Sequence, residues 1–345
     1  MKYLWVVACL MVVIAVPVSA SEYTAPQVPE SGRYIMPETR SFSEGILQML
    51  RKALSAVAPD IHNAMRTGGA ILATVILLGI LQLFQDGARG IYDLAGTAAI
   101  SSFVLLSTKS MVQLGMDTVV EISEYGKLLL PVMTGALAAQ GGITTSAALY
   151  AGTAMFNALV NTALTDILCP MIWFYIALSI GSAATGEGIL KNLRDLIKSL
   201  ASWSLKTVLT VFTTYMGITG VISGTTDAAA LKATKVVISS AVPVVGSILS
   251  DASEAILVSA ETAKNAAGIY GIFAVLSVFL VPFLRIATHY LVLKGTFVLS
   301  SIVGSKTLTQ LIADVSTAMG LLLAMTGSAC LLQLISTVCF LKGVG

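Results

Sequence analysis

The sequence predicts an all-α, polytopic integral membrane helical bundle of about eight to ten spans. Three observations carry that prediction. Of 345 residues, 56% are hydrophobic and only 11% are charged, whereas a soluble domain carries about 25% charged residues. So small a charged fraction cannot clothe a water-facing surface, and mean hydropathy is correspondingly high at +0.88. Apolar runs close to the roughly 20 residues that cross about 30 Å of hydrocarbon recur along the chain. Finally, Lys2, apolar residues 4–16 and the small residues Val18, Ser19 and Ala20 form a secretory signal peptide, 1–20, cleaved after Ala20. The competing reading of that stretch is an uncleaved first helix.

Residues 21–66 follow as an exported leader. Its first half, 21–40, is rich in Pro and polar residues and reads as exposed and loosely ordered. Phe42, Ile46, Leu50, Leu54, Val57 and Ile61 then recur at three- and four-residue steps, which predicts an amphipathic helix. Such a helix lies on the membrane surface or packs against the protein's own bundle.

Residues 67–345 form the membrane domain, with spans expected at 67–84, 94–115, 143–165, 167–185, 203–223, 267–284, 286–304 and 317–339. Two shorter segments, 128–140 and 236–250, carry Pro131-Val132 and Pro243-Val244. They either cross or fold back, and their match reflects either an internal duplication with interrupted segments or chance. If both cross, the 186–202 loop with Lys191, Arg194 and Lys198 faces the cytoplasm, in accord with the positive-inside rule. Within that loop Ile189, Leu193, Leu196, Ile197 and Leu200 share a helical face, and Lys191, Arg194, Asp195 and Lys198 cover the rest. The pattern predicts an in-plane amphipathic helix near 187–202.

Enzymatic signatures are absent from the sequence. There is no G-x-x-x-x-G-K-[ST], HExxH or GxSxG motif, and there are only two histidines. Cys169, Cys330 and Cys339 sit in apolar runs without a CxxC, so neither a metal site nor a disulfide framework is expected. A net charge of +2 leaves no electrostatic footprint for nucleic acid. No cofactor is expected, and the chain reads as a non-enzyme.

Ionisable residues inside apolar runs are the stronger lead, because each must face protein or water. Asp251 and Glu254 lie three apart, just after the helix-disturbing Pro243 and Gly246; Arg285 and His289 lie four apart on one helical face. With Pro131, these residues form a candidate pore or gate set. In the plainer reading Lys109, Asp166 and Arg285 mark span ends and snorkel, and His289 is a hydrogen-bonded packing residue.

The stretch 215–271, "YMGITGVISGTTDAAALKATKVVISSAVPVVGSILSDASEAILVSAETAKNAAGIYG", and the following "FLRIATHYLVLK", 283–294, resemble the signature region of the stage III sporulation protein AE family. The resemblance covers most of the chain and is weakest over residues 21–66. It implies a subunit of the mother-cell membrane around the engulfed forespore, within a secretion-like or feeding channel. The implied partners are other stage III sporulation membrane proteins, including a secretion-type ATPase and ring-forming subunits, a forespore membrane protein across the intermembrane space, and the lipid bilayer. No catalytic residue carries over. The alternative from the residues alone is a stand-alone, ion-coupled secondary transporter of a small solute.

Overall fold

The computed structural model describes residues 26–39, 41–84, 89–139, 143–186, 188–218 and 266–342. Among them the regular structure is helical: α1 (Glu30–Arg33), α2 (Phe42–Phe84), α3 (Arg89–Ala139), α4 (Ile143–Thr162), a π-helical turn (Ala163–Leu168), α5 (Cys169–Thr185), α6 (Gly188–Ile218), α7 (Ala266–Val303) and α8 (Lys306–Lys342). The chain is thus an all-α membrane bundle.

Its rods are longer than the expected spans, because neighbouring apolar runs share single helices. Segments 94–115 and 128–140 both lie in the 51-residue α3. The charged stretch between them is itself helical: Asp117, Glu121, Glu124 and Lys127 fall at three- and four-residue steps, and Gln113 Nε2 donates to Asp117 at 2.8 Å. Segments 267–284 and 286–304 likewise form α7, which runs through Pro282. The leader helix and segment 67–84 are both α2, and 187–202 is continuous with the start of 203–223 in α6. Five helices among the described residues, Phe42–Gln82, Gly90–Gly135, Tyr150–Thr185, Ile269–Val303 and Lys306–Val338, are long and apolar enough to cross a membrane. Five rods therefore stand where eight to ten spans were expected, with 219–265 outside the described residues.

No interruption occurs at Pro131: α3 continues through it to Ala139. Proline removes one ladder hydrogen bond, but buried Leu129, Leu130 and Met133 pack on Ile272, Phe273 and Val275 of α7 in one cluster. That burial holds the helix on both sides of the proline. Segment 236–250, with Pro243 and Gly246, and the acids Asp251 and Glu254 lie outside the described residues, as does the 1–20 signal segment.

Close glycine contacts set the arrangement. Gly45 lies on the Phe273 ring, Gly68 on Val292 and Thr296, and Gly79 on the Val303 carbonyl, so α2 and α7 run parallel. Gly96 meets Leu308, Gly115 meets Leu322 and Gly126 meets Gln333, so α3 and α8 run parallel and opposite to the first pair. The α2–α3, α5–α6 and α7–α8 corners consequently share one end, here the lower end. At the second of these, Gly186 caps α5 with φ +71° and donates its N–H to the Ser182 carbonyl, a conformation that favours glycine.

The core has two parts. The lower part joins α2, α3, α5, α6, α7 and α8 through residues such as Ile71, Val112, Tyr175, Phe212 and Leu322. The upper part holds Val28, Ile35, Met49, Tyr125, Phe273 and Leu334. The leader belongs to this upper core and is not loosely ordered over 26–39. Val28 and Ile35 are buried, Gly32 sits against Ser277, Ser31 Oγ donates to Glu121 at 2.6 Å, and Lys52 Nζ donates to the Met36 carbonyl at 2.9 Å. Two well-placed apolar side chains suffice to seat an otherwise polar segment.

The outer surface divides in the same way. Below, Leu77, Ile91, Leu106, Phe174, Trp203 and Ile302 are exposed; with about 1.5 Å rise per residue they form a band about 30 Å deep from the lower corners. Above it, α2 and α3 carry Arg51, Lys52, Glu121, Glu124 and Lys127. The lower band is about as deep as a hydrocarbon layer, and in the upper half those charges alternate with exposed Leu47, Leu54 and Leu128.

Candidate functional site

The most enclosed charges in the described residues join α6 to α8 near the lower end. Arg194 and Asp314 are each only 4% exposed, and Arg194 Nη1 donates to Asp314 Oδ2 at 2.5 Å. Asp314 Oδ1 also accepts from Gln310 Nε2 at 2.9 Å and from the Tyr175 hydroxyl at 3.3 Å. The other edge of the guanidinium donates through Nε and Nη2 to Asp195 Oδ1, at 3.0 and 2.9 Å. The guanidinium is thus held between two carboxylates, Asp314 on the enclosed side and Asp195 on the exposed side.

The sequence pattern misassigned Arg194. Periodicity put it with the solvated side of an amphipathic helix, yet α6 turns Arg194, Ala201 and Leu205 inward and leaves Ile189, Leu193, Leu196 and Leu200 exposed. Lys191, Asn192 and Asp195 are exposed as well, so Arg194 is set apart by its position opposite Asp314 and not by the polarity of its side of the helix. The available signal was Asp314, the lone acid in α8, which required a partner that sequence alone did not name.

Of the predicted pore set, Arg285 and His289 share a partly buried region of α7. Arg285 Nε lies 2.8 Å from Asp60 Oδ2 of α2, at side-chain exposures of 37% and 30%. The contact is an ion pair without hydrogen-bond alignment at Nε, which has no hydrogen-bond partner. Pro131 is exposed near the upper end of α3, beside residues that pack on Gly271. Fourteen residues of α7 separate that level from Arg285, about 20 Å along the axis, so the structure does not bring Pro131 to the pair. Lys109 and Asp166 are exposed, and Asp166 sits in the π-helical turn, where it accepts from Thr165 Oγ1 at 2.8 Å. Pro170 accounts for that turn: its ring conflicts with the carbonyl four residues earlier, and the Cys169 N–H bonds back to Leu164 instead.

A further polar group was not legible in the sequence. Buried Gln333 of α8 accepts from Asn157 Nδ2 at 3.3 Å, while Gln333 Nε2, Asn161 Oδ1 and Ser123 Oγ lack partners. They line a cavity of about 20 Å³ with Val119, Val160 and Leu332, room for one water. Among the described residues no group of three His, Cys, Asp or Glu is placed to hold a metal.

These features define a class: a helical membrane protein whose polar interior is built from paired charges and amides. Its family follows from comparison. The family model described as stage III sporulation protein AE matches residues 36–343, and the chain belongs to that family. A relative named stage III sporulation protein AE, from Bacillus subtilis (strain 168), is 24% identical over 253 residues, which is 70% of this chain and 63% of that protein. The match therefore spans less than two thirds of that relative's length. No solved structure matches the chain.

Proposed function

We propose that the chain is a non-enzymatic membrane subunit of a channel complex joining mother cell and forespore, acting as its platform or export gate. The observation that carries this reading is the family match over 36–343, on a bundle whose upper half projects past a hydrocarbon-deep band. In this reading the leader faces the intermembrane space and the α5–α6 corner faces the mother-cell cytoplasm, next to Lys191 and Lys198. The membrane is the one around the forespore. Its partners are other stage III sporulation membrane proteins, among them ring-forming subunits, a forespore membrane protein and a secretion-type ATPase. A chain without a nucleotide motif fits a subunit energised by another protein. Arg285 and His289, with Asp60, together with Pro243, Gly246, Asp251 and Glu254, serve the gate, and Pro131 lies above it.

Deletion of the gene in its own host tests the role: sporulation stops and is restored by the intact gene. Normal spore yield without it overturns the reading. The second reading, an ion-coupled transporter, draws on the enclosed Arg194–Asp314 pair and the Gln333 cavity. Ion-dependent uptake by the purified protein in vesicles would favour it.

A further inference from the structure

A cleft of about 590 Å³ opens at the lower end between α5, α6, α7 and α8. Its charges do not balance. Arg194 is satisfied by Asp314 inside the cleft wall, whereas Lys191 and Lys306 are exposed, line the same cleft and have no ion-pair partner among the described residues. Ser182, Ser301 and Thr309 add hydroxyls around them. A third cation leans the same way: Lys294 lies within the apolar band, and its Nζ stands 5.5 Å over the ring of Phe297, a cleft residue. An ammonium placed in hydrocarbon bends toward the nearest polar layer, and here that layer is the cleft. The rim is apolar, since Ile189, Ile302 and Val303 are exposed beside it.

Unpaired cations, hydroxyl donors and an adjoining lipid-facing surface are the recognition elements of a phosphodiester carrying acyl chains. We propose that this cleft binds the headgroup of an anionic phospholipid from the leaflet at the lower end, with Lys191 and Lys306 on the phosphate and the acyl chains along Ile302 and Ile189. The inference rests on the lower half lying in the membrane. A bound lipid would brace the α5–α6 and α7–α8 corners against each other, and would tie the subunit to membrane of suitable charge.

The test uses the full chain, purified in detergent, stripped of lipid and titrated with phosphatidylglycerol or phosphatidylcholine under native mass spectrometry. Phosphatidylglycerol is expected to bind in preference to phosphatidylcholine. The double variant Lys191→Gln/Lys306→Gln should weaken phosphatidylglycerol binding by about 30-fold, from about tenfold per 1.4 kcal/mol and the usual contribution of each lysine at an anionic surface. The control Arg51→Gln/Lys127→Gln removes the same charge from the upper half and should leave binding unchanged. Equal binding by the lysine double variant, an equal loss in the control, or no preference for phosphatidylglycerol overturns the proposal. So does inorganic phosphate binding as tightly as the lipid, which would mark a site for free anion. Thiol labelling of Phe174→Cys, eleven residues above the end of α5, checks the underlying placement separately in vesicles: resistance to a water-soluble maleimide keeps the lower half in lipid whatever the lipid titration gives, and rapid labelling removes that premise.

Discussion

Removing Asp314 should expose how strongly the lower bundle depends on one enclosed charge pair. Arg194 and Asp314 have side-chain exposures of 5% and 6%, so neither can recover hydration when its partner is lost. Breaking a buried pair typically costs about 3–5 kcal/mol, because the remaining charge is left uncompensated. The two single changes should differ. After Asp314→Ala, Arg194 still holds Asp195, whose side chain is 55% exposed and supplies a weaker, solvated partner. The cost then falls near the lower end of the range. After Arg194→Ala, Asp314 keeps two neutral donors, Tyr175 and Gln310, but no cation, and the cost falls near the upper end. The double change Arg194→Met/Asp314→Leu removes both charges and should recover most of the loss, since apolar replacement of a buried pair is often neutral or better. Thermal unfolding in nanodiscs, followed by tryptophan fluorescence, reads the cycle as single-variant shifts on the order of 5–10 °C and a coupling of about 2 kcal/mol or more. Single variants within about 0.5 kcal/mol of the parent, or costs that simply add in the double, would refute the reasoning.

Further outcomes follow from the same structure. A Cβ on Gly79 would stand 2.7 Å from the Val303 carbonyl oxygen, a backbone atom that cannot swing away; Gly79→Ala should cost about 1–3 kcal/mol by thermal unfolding. At Gly69 nothing lies within 4 Å, and Gly69→Ala should be neutral or stabilise by up to about 1 kcal/mol. Because the Asp60–Arg285 pair is about one-third exposed, Arg285→Gln should cost less than about 1 kcal/mol in stability while reducing spore yield, as a gate residue would; unchanged yield removes it from the gate set. In non-sporulating cells that carry the chain in the plasma membrane, Glu38→Cys should react with an impermeant maleimide from the outer side, Lys191→Cys only after permeabilisation, and Leu106→Cys in neither case. Reaction of Lys191→Cys without permeabilisation would invert the orientation.

How much of this was legible in the sequence depended on the range of the interaction. The helical class and the α2 periodicity beginning at Phe42 were visible because both are local patterns of burial. Helix ends were less visible: Asp117, Glu121, Glu124 and Lys127 look like a polar connector in composition, yet their spacing and the Gln113 contact continue α3. Pro131 reads as a breaker, and tertiary packing by Leu130 and Met133 overrides it. Arg285 and His289 were placed on one face by spacing, but Asp60 is remote in sequence and could not be paired in advance. Arg194 was misread for a physical reason: its burial is set by Asp314, 120 residues away, and a local pattern of polar and apolar residues carries no sign of that partner.

The central claim, membership in a multi-protein channel between mother cell and forespore, is tested most directly by crosslinking a tagged full-length copy in sporulating cells, followed by gentle extraction and mass spectrometry. The account predicts stoichiometric recovery of other stage III sporulation membrane proteins together with a protein of the forespore membrane. Recovery of the chain alone, or only with copies of itself, would contradict it.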